Sequence, residues 1–303
     1  MTKIVIGIAY HKRGRFQNQE PYLPIQVGAL MHPDLGIQKD SDGDNISAEN
    51  AYCSELSATY WLWKNVCADY KGLFHYRRFM TFEKRVILKK IPKIILYYLS
   101  KFAAPFIRDS RCFYPHFDII KINEGQEEVF LNRFYEDLQK DIQLNNTDCY
   151  SLGFIEHSTR SMSTHLNLGI GGKNYEWLIE MISKEYPDFN KYFLKTLRSG
   201  KLIGYNMIIA RNELFEEYCN ILFGIIFKYH QHFNNGIPNG VINNALLRSS
   251  GYVGEIITDA FIRMLQDRGY NIERLNCVFV NTAVTGMSYQ EKPILKRIAE
   301  MIT

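Results

Sequence analysis

From Lys3 to Ala9 the chain reads Lys-Ile-Val-Ile-Gly-Ile-Ala. An apolar run without alternation is the pattern of a central parallel strand covered on both faces. Lys71 to Phe74 and Gly204 to Ala210 repeat this short buried pattern, and Phe117–Lys121 and Cys149–Ile155 also read as strands. Helical periodicity fills the spaces between: Glu124 to Leu144, Tyr175 to Glu185 with a stop at Pro187, Glu213 to His232, and Val241 to Asp267 with an interruption over Ser249–Gly254. Alternation of this kind predicts an α/β fold with a sheet flanked by helices and no internal repeat.

With 46% hydrophobic and 14% aromatic residues, the 303-residue chain has ample material for a large core, which excludes a disordered or fibrous protein. We expect one domain over residues 1–270 and a C-terminal extension over 271–303. A net charge of +4 is too mild for a nucleic-acid partner. The six cysteines, at 53, 67, 112, 149, 219 and 277, form no C-x-x-C pair, so neither a zinc knuckle nor a disulfide framework is expected. They read as reduced thiols in a cytoplasmic protein. The apolar N-terminus is too short for a signal sequence, and no run reaches the roughly 20 apolar residues of a spanning helix.

In an open α/β sheet, ligands bind beyond the carboxyl ends of the strands. The strand at Lys71–Phe74 ends in His75-Tyr-Arg-Arg78, and the first strand ends in Tyr10-His-Lys-Arg13, with Tyr22, Pro24 and Gln26 following in sequence. Cations gathered there suit a phosphate or diphosphate, the alternative being a solvated basic edge. No G-x-G-x-x-G or G-x-x-x-x-G-K-[ST] is present, so a dinucleotide fold and a phosphate-loop NTPase are not signalled. Ala48 to Asn65 reads as one aromatic, largely buried helix, with Ser47 as N-cap and Asn50 as its capping-box residue or as a lining of the polar pocket. Glu55 on that helix needs a buried partner. Asp40, Asp42 and Asp44 alternate like the start of a calcium loop, but Asn45 stands where glycine is needed and Ala51 where the bidentate glutamate is needed, so a capped turn explains them better. Glu83 to Arg111 is basic, aromatic and amphipathic, broken by Pro92 and Pro105. It fits an interfacial segment on an anionic membrane, or a helix with a solvated basic face.

Several phrases jointly carry a resemblance: Tyr22-Leu-Pro-Ile-Gln-Val-Gly28, Gly43-Asp-Asn-Ile-Ser47, Tyr52-Cys-Ser-Glu-Leu56, Tyr60-Trp-Leu-Trp-Lys-Asn65, Gly72-Leu-Phe-His-Tyr-Arg-Arg78, Asn206-Met-Ile-Ile209, Tyr218-Cys with Leu222-Phe, and Arg248 with Gly251-Tyr-Val-Gly-Glu255. Up to about residue 265 the chain resembles the bacterial capsule and exopolysaccharide glycosyltransferases first catalogued as a domain of unknown function. The resemblance implies a GT-A-like fold with a mixed, mostly parallel sheet, here carrying the basic helical insertion at 83–111. It also implies a nucleotide-sugar donor, UDP-linked and with UDP-galactofuranose as a candidate, and a lipid-linked oligosaccharide acceptor. Work on such an acceptor fits a cytoplasmic protein peripheral on the inner face of the plasma membrane. Where GT-A enzymes carry a metal-holding Asp-x-Asp, this chain has His75–Arg78, so the expected site uses fixed cations and no metal cofactor. Mn²⁺ or Mg²⁺ activation is the alternative, and Asp42 and Asp44 would then be the ligands.

The expected donor-binding residues are His11, Lys12, Gln26, Asn50, His75, Arg77 and Arg78, with Asn206 and Glu156 on the acceptor side. An inverting transfer needs a carboxylate base. Glu255, read as lying at a helix start where the dipole keeps it ionised, leads, with Asp259 one turn on. Glu55 reads as a structural partner. The competing readings are a non-catalytic membrane-surface scaffold of a polysaccharide-assembly complex and, less well supported, a phosphate-ester hydrolase.

Overall fold

In the computed structural model of the chain, which describes residues 2–83, 119–153, 156–157, 161–234 and 247–281, the first apolar run becomes strand β1, Ile4–Tyr10. It lies parallel to β2, Tyr22–Gln26, on one side and to β4, Tyr70–His75, on the other, while β3, Gln38–Lys39, extends the edge beyond β2. The rest of the sheet mixes directions. Strand β10, Ile208–Arg211, runs antiparallel to β4 and to β7, Cys149–Leu152. Strand β11, Ile272–Asn281, runs parallel to β7 and to β6, Ile119–Asn123, and antiparallel to β5, Arg78–Thr81. A separate two-stranded ribbon pairs β8, Glu156–His157, with β9, Lys201–Leu202.

The mixed α/β architecture agrees with the sequence pattern, with three local differences. Strand β11 belongs to the sheet although the sequence assigns its residues to a C-terminal extension; its Leu275, Cys277, Val278, Phe279 and Val280 are all buried. The expected single helix from Ala48 is a 3-10 turn at Ser47–Glu49, a short α1, Asn50–Cys53, and α2, Leu56–Asn65, separated by Ser54 at φ 51°. Ser47 caps no helix, because its hydroxyl donates to Asp40 Oδ1 at 2.6 Å. The basic segment, apart from Glu83, and residues 282–303 lie outside the described residues.

Helices α3, Glu127–Asn145, α4, Met162–Ile170, α5, Gly172–Glu185, and α6, Pro187–Arg198, follow in order. Pro187 opens α6 instead of merely ending its predecessor, since proline's missing N–H costs nothing in a first turn. In α7, Asn212–Asn234, buried Phe215, Tyr218, Cys219, Leu222, Phe223, Ile226 and Tyr229 recur at three- and four-residue spacing. Helix α8, Ser249–Asp267, is continuous through Gly251 and Gly254. Gly254 is there for close approach: a Cβ at that position would stand 3.0 Å from both Leu56 Cδ1 and Asn206 Oδ1. Gly7 does the same for α2, since a Cβ on it would meet Leu62 Cδ1 at 2.7 Å. These contacts pack α2 on the middle of β1 and α8 on the start of α2. Among the described residues no helix is long and apolar enough to cross a membrane.

Candidate functional site

Strands β1 and β4 are in register with Ala9 opposite His75, so both deliver their next residues to the same edge. His11 and Lys12 follow β1. Tyr76 and Arg77 form a tight connection, and Arg78 opens β5 paired back to His75, so the cationic tetrapeptide is a hairpin turn and not a simple strand end. A loop after β2 supplies Val27 and His32. It turns through Gly28, which is left-handed (φ 66°) and donates its N–H to Asp40 Oδ2 at 2.8 Å. The break between α1 and α2 presents Asn50, Ala51, Ser54 and Glu55. Arg248, left-handed at φ 63° before α8, closes the far side, its backbone N–H donating to Ala51 O at 3.2 Å. These groups enclose a cleft of about 640 Å³, within the range of small-molecule sites.

The cleft is strongly cationic, and aromatic rings hold the cations in place. The Tyr76 ring meets His75 and His11 at centroid distances of 4.8 and 4.9 Å, and carries the Arg77 guanidinium at 4.9 Å and Lys12 Nζ at 5.5 Å. Arg78 lies 4.0 Å over the Tyr205 ring. Stacking of this kind attracts a cation without using its N–H donors. His75 Nδ1, Arg77 Nε and Arg78 Nε are buried and without a hydrogen-bond partner. Such a nitrogen costs about 1–3 kcal/mol if nothing satisfies it, so the cationic wall is held at some expense to the fold. Burial, reinforced by Arg78, His11, Arg77 and Arg248, pushes the His75 pKa well below the usual range. Burial, with Lys12, Arg77, Arg248 and His32, also lowers that of His11. An anion in the cleft would oppose the cationic part of both shifts.

Glu55 is the one carboxylate among the described lining residues. Its Oε1 accepts from Asn206 Nδ2 at 2.8 Å. Asn206 is itself buried, left-handed at φ 51°, and also donates to Gly251 O at 3.2 Å. A fixed amide thus holds the acid at the foot of a cationic wall.

His11, Lys12, Asn50, His75, Arg77 and Arg78 are brought together as the sequence suggests, although Asn50 also ties the helix break by donating to Ser54 O at 2.7 Å and Ser57 Oγ at 3.1 Å. Gln26 is not part of the lining. It is buried, donates to Pro33 O at 2.9 Å and accepts from Leu35 N at 2.8 Å, so its amide shapes the neighbouring turn. Asn206 lies behind Glu55. Asp259 is wholly buried and accepts from Arg263 Nε at 2.9 Å, while burial raises its pKa; no substrate can reach it, so it is no base. Glu255 is the seventh residue of α8, beyond the first turn, so the dipole argument for it lapses. It accepts from Tyr205 N at 2.9 Å and lines a different cleft. The backbone of Glu156 pairs with Leu202, and its side chain lies outside what the structure describes. Asp40 is spent on backbone, and among the described residues no His, Cys, Asp and Glu group could hold a metal ion.

Sequence reasoning placed Tyr76 at the cationic strand end, missed His32, Ser54 and Arg248 as lining groups, and undervalued Glu55. One signal was available: Glu55 and Arg248 both belong to the phrases that carry the family resemblance. What placed them was a left-handed Ser54 and a left-handed Arg248, backbone states that neither residue type announces.

A family model described as Domain of unknown function (DUF4422) matches residues 4–268. Among solved structures, the chain is similar to the apo structure of WbbM, a bifunctional glycosyltransferase, with a TM-score of 0.69 and 22% identity over 92% of this chain and 46% of that one. The chain therefore spans about half the length of that protein, and at this identity the likeness is one of fold. No curated protein matches.

Proposed function

The chain belongs to the DUF4422 family, and we propose that it is a glycosyltransferase whose cationic cleft holds the diphosphate of a nucleotide sugar. The observation that carries this reading is the convergence of Lys12, Arg77, Arg78 and Arg248 with His11 and His75 in one cleft whose described lining holds a single carboxylate, Glu55. In the reaction the bond from the anomeric carbon to the diphosphate oxygen breaks and its electron pair leaves with the nucleoside diphosphate. Arg77, Arg78, Arg248 and Lys12 neutralise that charge, and His75 and His11 add to it by taking up protons. An acceptor hydroxyl attacks the anomeric carbon, and Glu55 takes its proton. Glu55 replaces Glu255 in this role because it shares the cleft with the cations.

The fold is read as GT-A-like, and the WbbM likeness supports glycosyl transfer on it. We assign a UDP-linked donor, with UDP-galactofuranose the candidate sugar, and a lipid-linked glycan acceptor in capsule or exopolysaccharide synthesis. The basic residues between 83 and 111 suit docking on an anionic membrane, at the inner face of the plasma membrane. Charge neutralisation by fixed cations predicts activity that survives EDTA; loss of activity restored by Mn²⁺ or Mg²⁺ would overturn that part. The direct test is thermal stability with UDP and UDP-sugars. A ligand at 100 times its dissociation constant stabilises by about 2.7 kcal/mol. Absence of a shift with every nucleotide and nucleotide sugar, or cleavage of simple phosphate esters, would sink the transferase reading.

A further inference from the structure

A second cleft of about 520 Å³ opens on the other flank of α8. Its floor is apolar, built from Met162 and Leu166 of α4, Leu202 of β9 and Ile256 of α8. Its polar groups are Glu255 and His165, and the ring of Tyr252, 53% exposed, stands beside them. Among its described lining residues there is no lysine or arginine, in contrast to the first cleft. That chemistry rejects a phosphate and suits a neutral sugar: a pyranose C–H face lies on an aromatic ring and an apolar floor, while ring hydroxyls donate to a carboxylate.

The two clefts are mechanically joined. Glu255 Oε1 accepts the Tyr205 N–H at 2.9 Å, and the Tyr205 ring carries the Arg78 guanidinium of the first cleft at 4.0 Å. Asn206, next in sequence, holds Glu55 and reaches the carbonyl of Gly251 on α8. The start of α8 serves both sites, since Arg248 lines the first and Tyr252, Glu255 and Ile256 line the second.

We propose that the second cleft binds a saccharide unit of the acceptor glycan, with Tyr252 as its stacking platform and Glu255 as its hydroxyl acceptor. The proposal rests on the glycosyltransferase reading and assigns Glu255 a recognition role in place of a proton-transfer one. It also places the β8–β9 ribbon, which contains Glu156 and contributes Leu202, on the acceptor side.

Saturation-transfer NMR on the full chain tests this, using methyl β-D-galactopyranoside and methyl α-D-glucopyranoside as probes in the presence of UDP. The parent should transfer saturation to at least one probe. Tyr252→Ala should raise that probe's dissociation constant about tenfold, the scale of a lost ring contact, and Glu255→Gln should raise it several-fold. Tyr252→Ala should not alter the thermal shift given by UDP. Tyr252 is exposed, so its replacement leaves the core intact. No saturation transfer in a parent that binds UDP overturns the second site while leaving the donor site standing. Unaltered probe binding in Tyr252→Ala does the same. Failure of UDP itself to bind is a failure of the first cleft and is read separately from the thermal shift.

Discussion

Asp40 and Glu55 are two acids fifteen residues apart in sequence, both at turns that support the same cleft, and they are used in opposite ways. Asp40 is fully buried and accepts from Gly28 N at 2.8 Å, Ala29 N at 3.0 Å and Ser47 Oγ at 2.6 Å. Both of its oxygens are occupied by the protein. Glu55 is pinned at Oε1 by Asn206 and lines a cleft walled by cations. The basic residues divide likewise. Lys71 Nζ is enclosed, donating to Glu216 Oε1 at 3.0 Å and Val66 O at 3.2 Å, while Arg77 and Arg78 each keep a buried Nε without a partner. A charge whose partners are all protein holds the scaffold; a charge held on one side and left open on the other is where a ligand's chemistry can act.

The largest effect that distinguishes the two acids is on turnover. Glu55→Gln keeps the hydrogen bond from Asn206 but removes the base, so transfer should fall by about 10² to 10⁴, the usual worth of a positioned proton acceptor. UDP should still raise the melting temperature. Near-parental turnover would remove Glu55 from the mechanism.

The counterpart in the scaffold is Asp40→Ala, which strands two backbone N–H groups and a hydroxyl in the interior. We expect a loss of about 3–5 kcal/mol of stability, read from the urea midpoint. A stable variant that fails only in UDP binding would show that Asp40 belongs to the site and would erase the distinction.

Next in size are Arg77→Ala and Arg78→Ala. Each removes a charge-assisted donor worth about 1.5–3 kcal/mol to an anion, so the UDP dissociation constant should rise about 10- to 100-fold by calorimetry. Because the Nε of each arginine lacks a protein partner, the melting temperature without ligand should change little, relief of cation crowding offsetting the lost ring contacts. Folded variants that bind UDP like the parent would refute the diphosphate assignment.

Much of this division was legible in residue order. Strands β1 and β4 follow from unbroken apolar runs, and six of the seven expected donor-side groups line one cleft, five of them because parallel neighbours end at one edge and Asn50 from helix α1. The lower half of the site was hidden by backbone conformation. An uninterrupted helix through residue 54 would point Glu55 along a buried face; the left-handed Ser54 turns it to the cleft instead. The opposite holds at Gly251 and Gly254, whose sequence suggests a helix break: α8 is continuous through both, and Gly254 serves its close packing on Leu56 and Asn206. Gln26 misled for another reason: a polar residue at a strand end has the same sequence signature whether it meets a ligand or the next turn.

The smallest predicted effect concerns protons, and it tests the cationic wall as a unit. Burial and neighbouring cations keep the pKa values of His75 and His11 below the ordinary histidine value. A bound diphosphate supplies the opposite charge and raises both. Between the free and bound values the complex carries more protons than the free protein, so binding takes up protons and affinity rises as pH falls. UDP loses charge near pH 6 as its terminal phosphate protonates, so the window for the measurement is pH 6.5 to 8. Calorimetry in two buffers of different ionisation enthalpy should show net proton uptake over that window, with affinity a few-fold tighter at its acidic end. His75→Gln should flatten the slope, while Arg77→Ala, which removes one of the cations that depress both histidines, should weaken binding and reduce the slope without abolishing it. A pH-independent affinity in the parent would mean that the histidines do not face the diphosphate, and it would leave the arginines and Lys12 as the whole of the anion site.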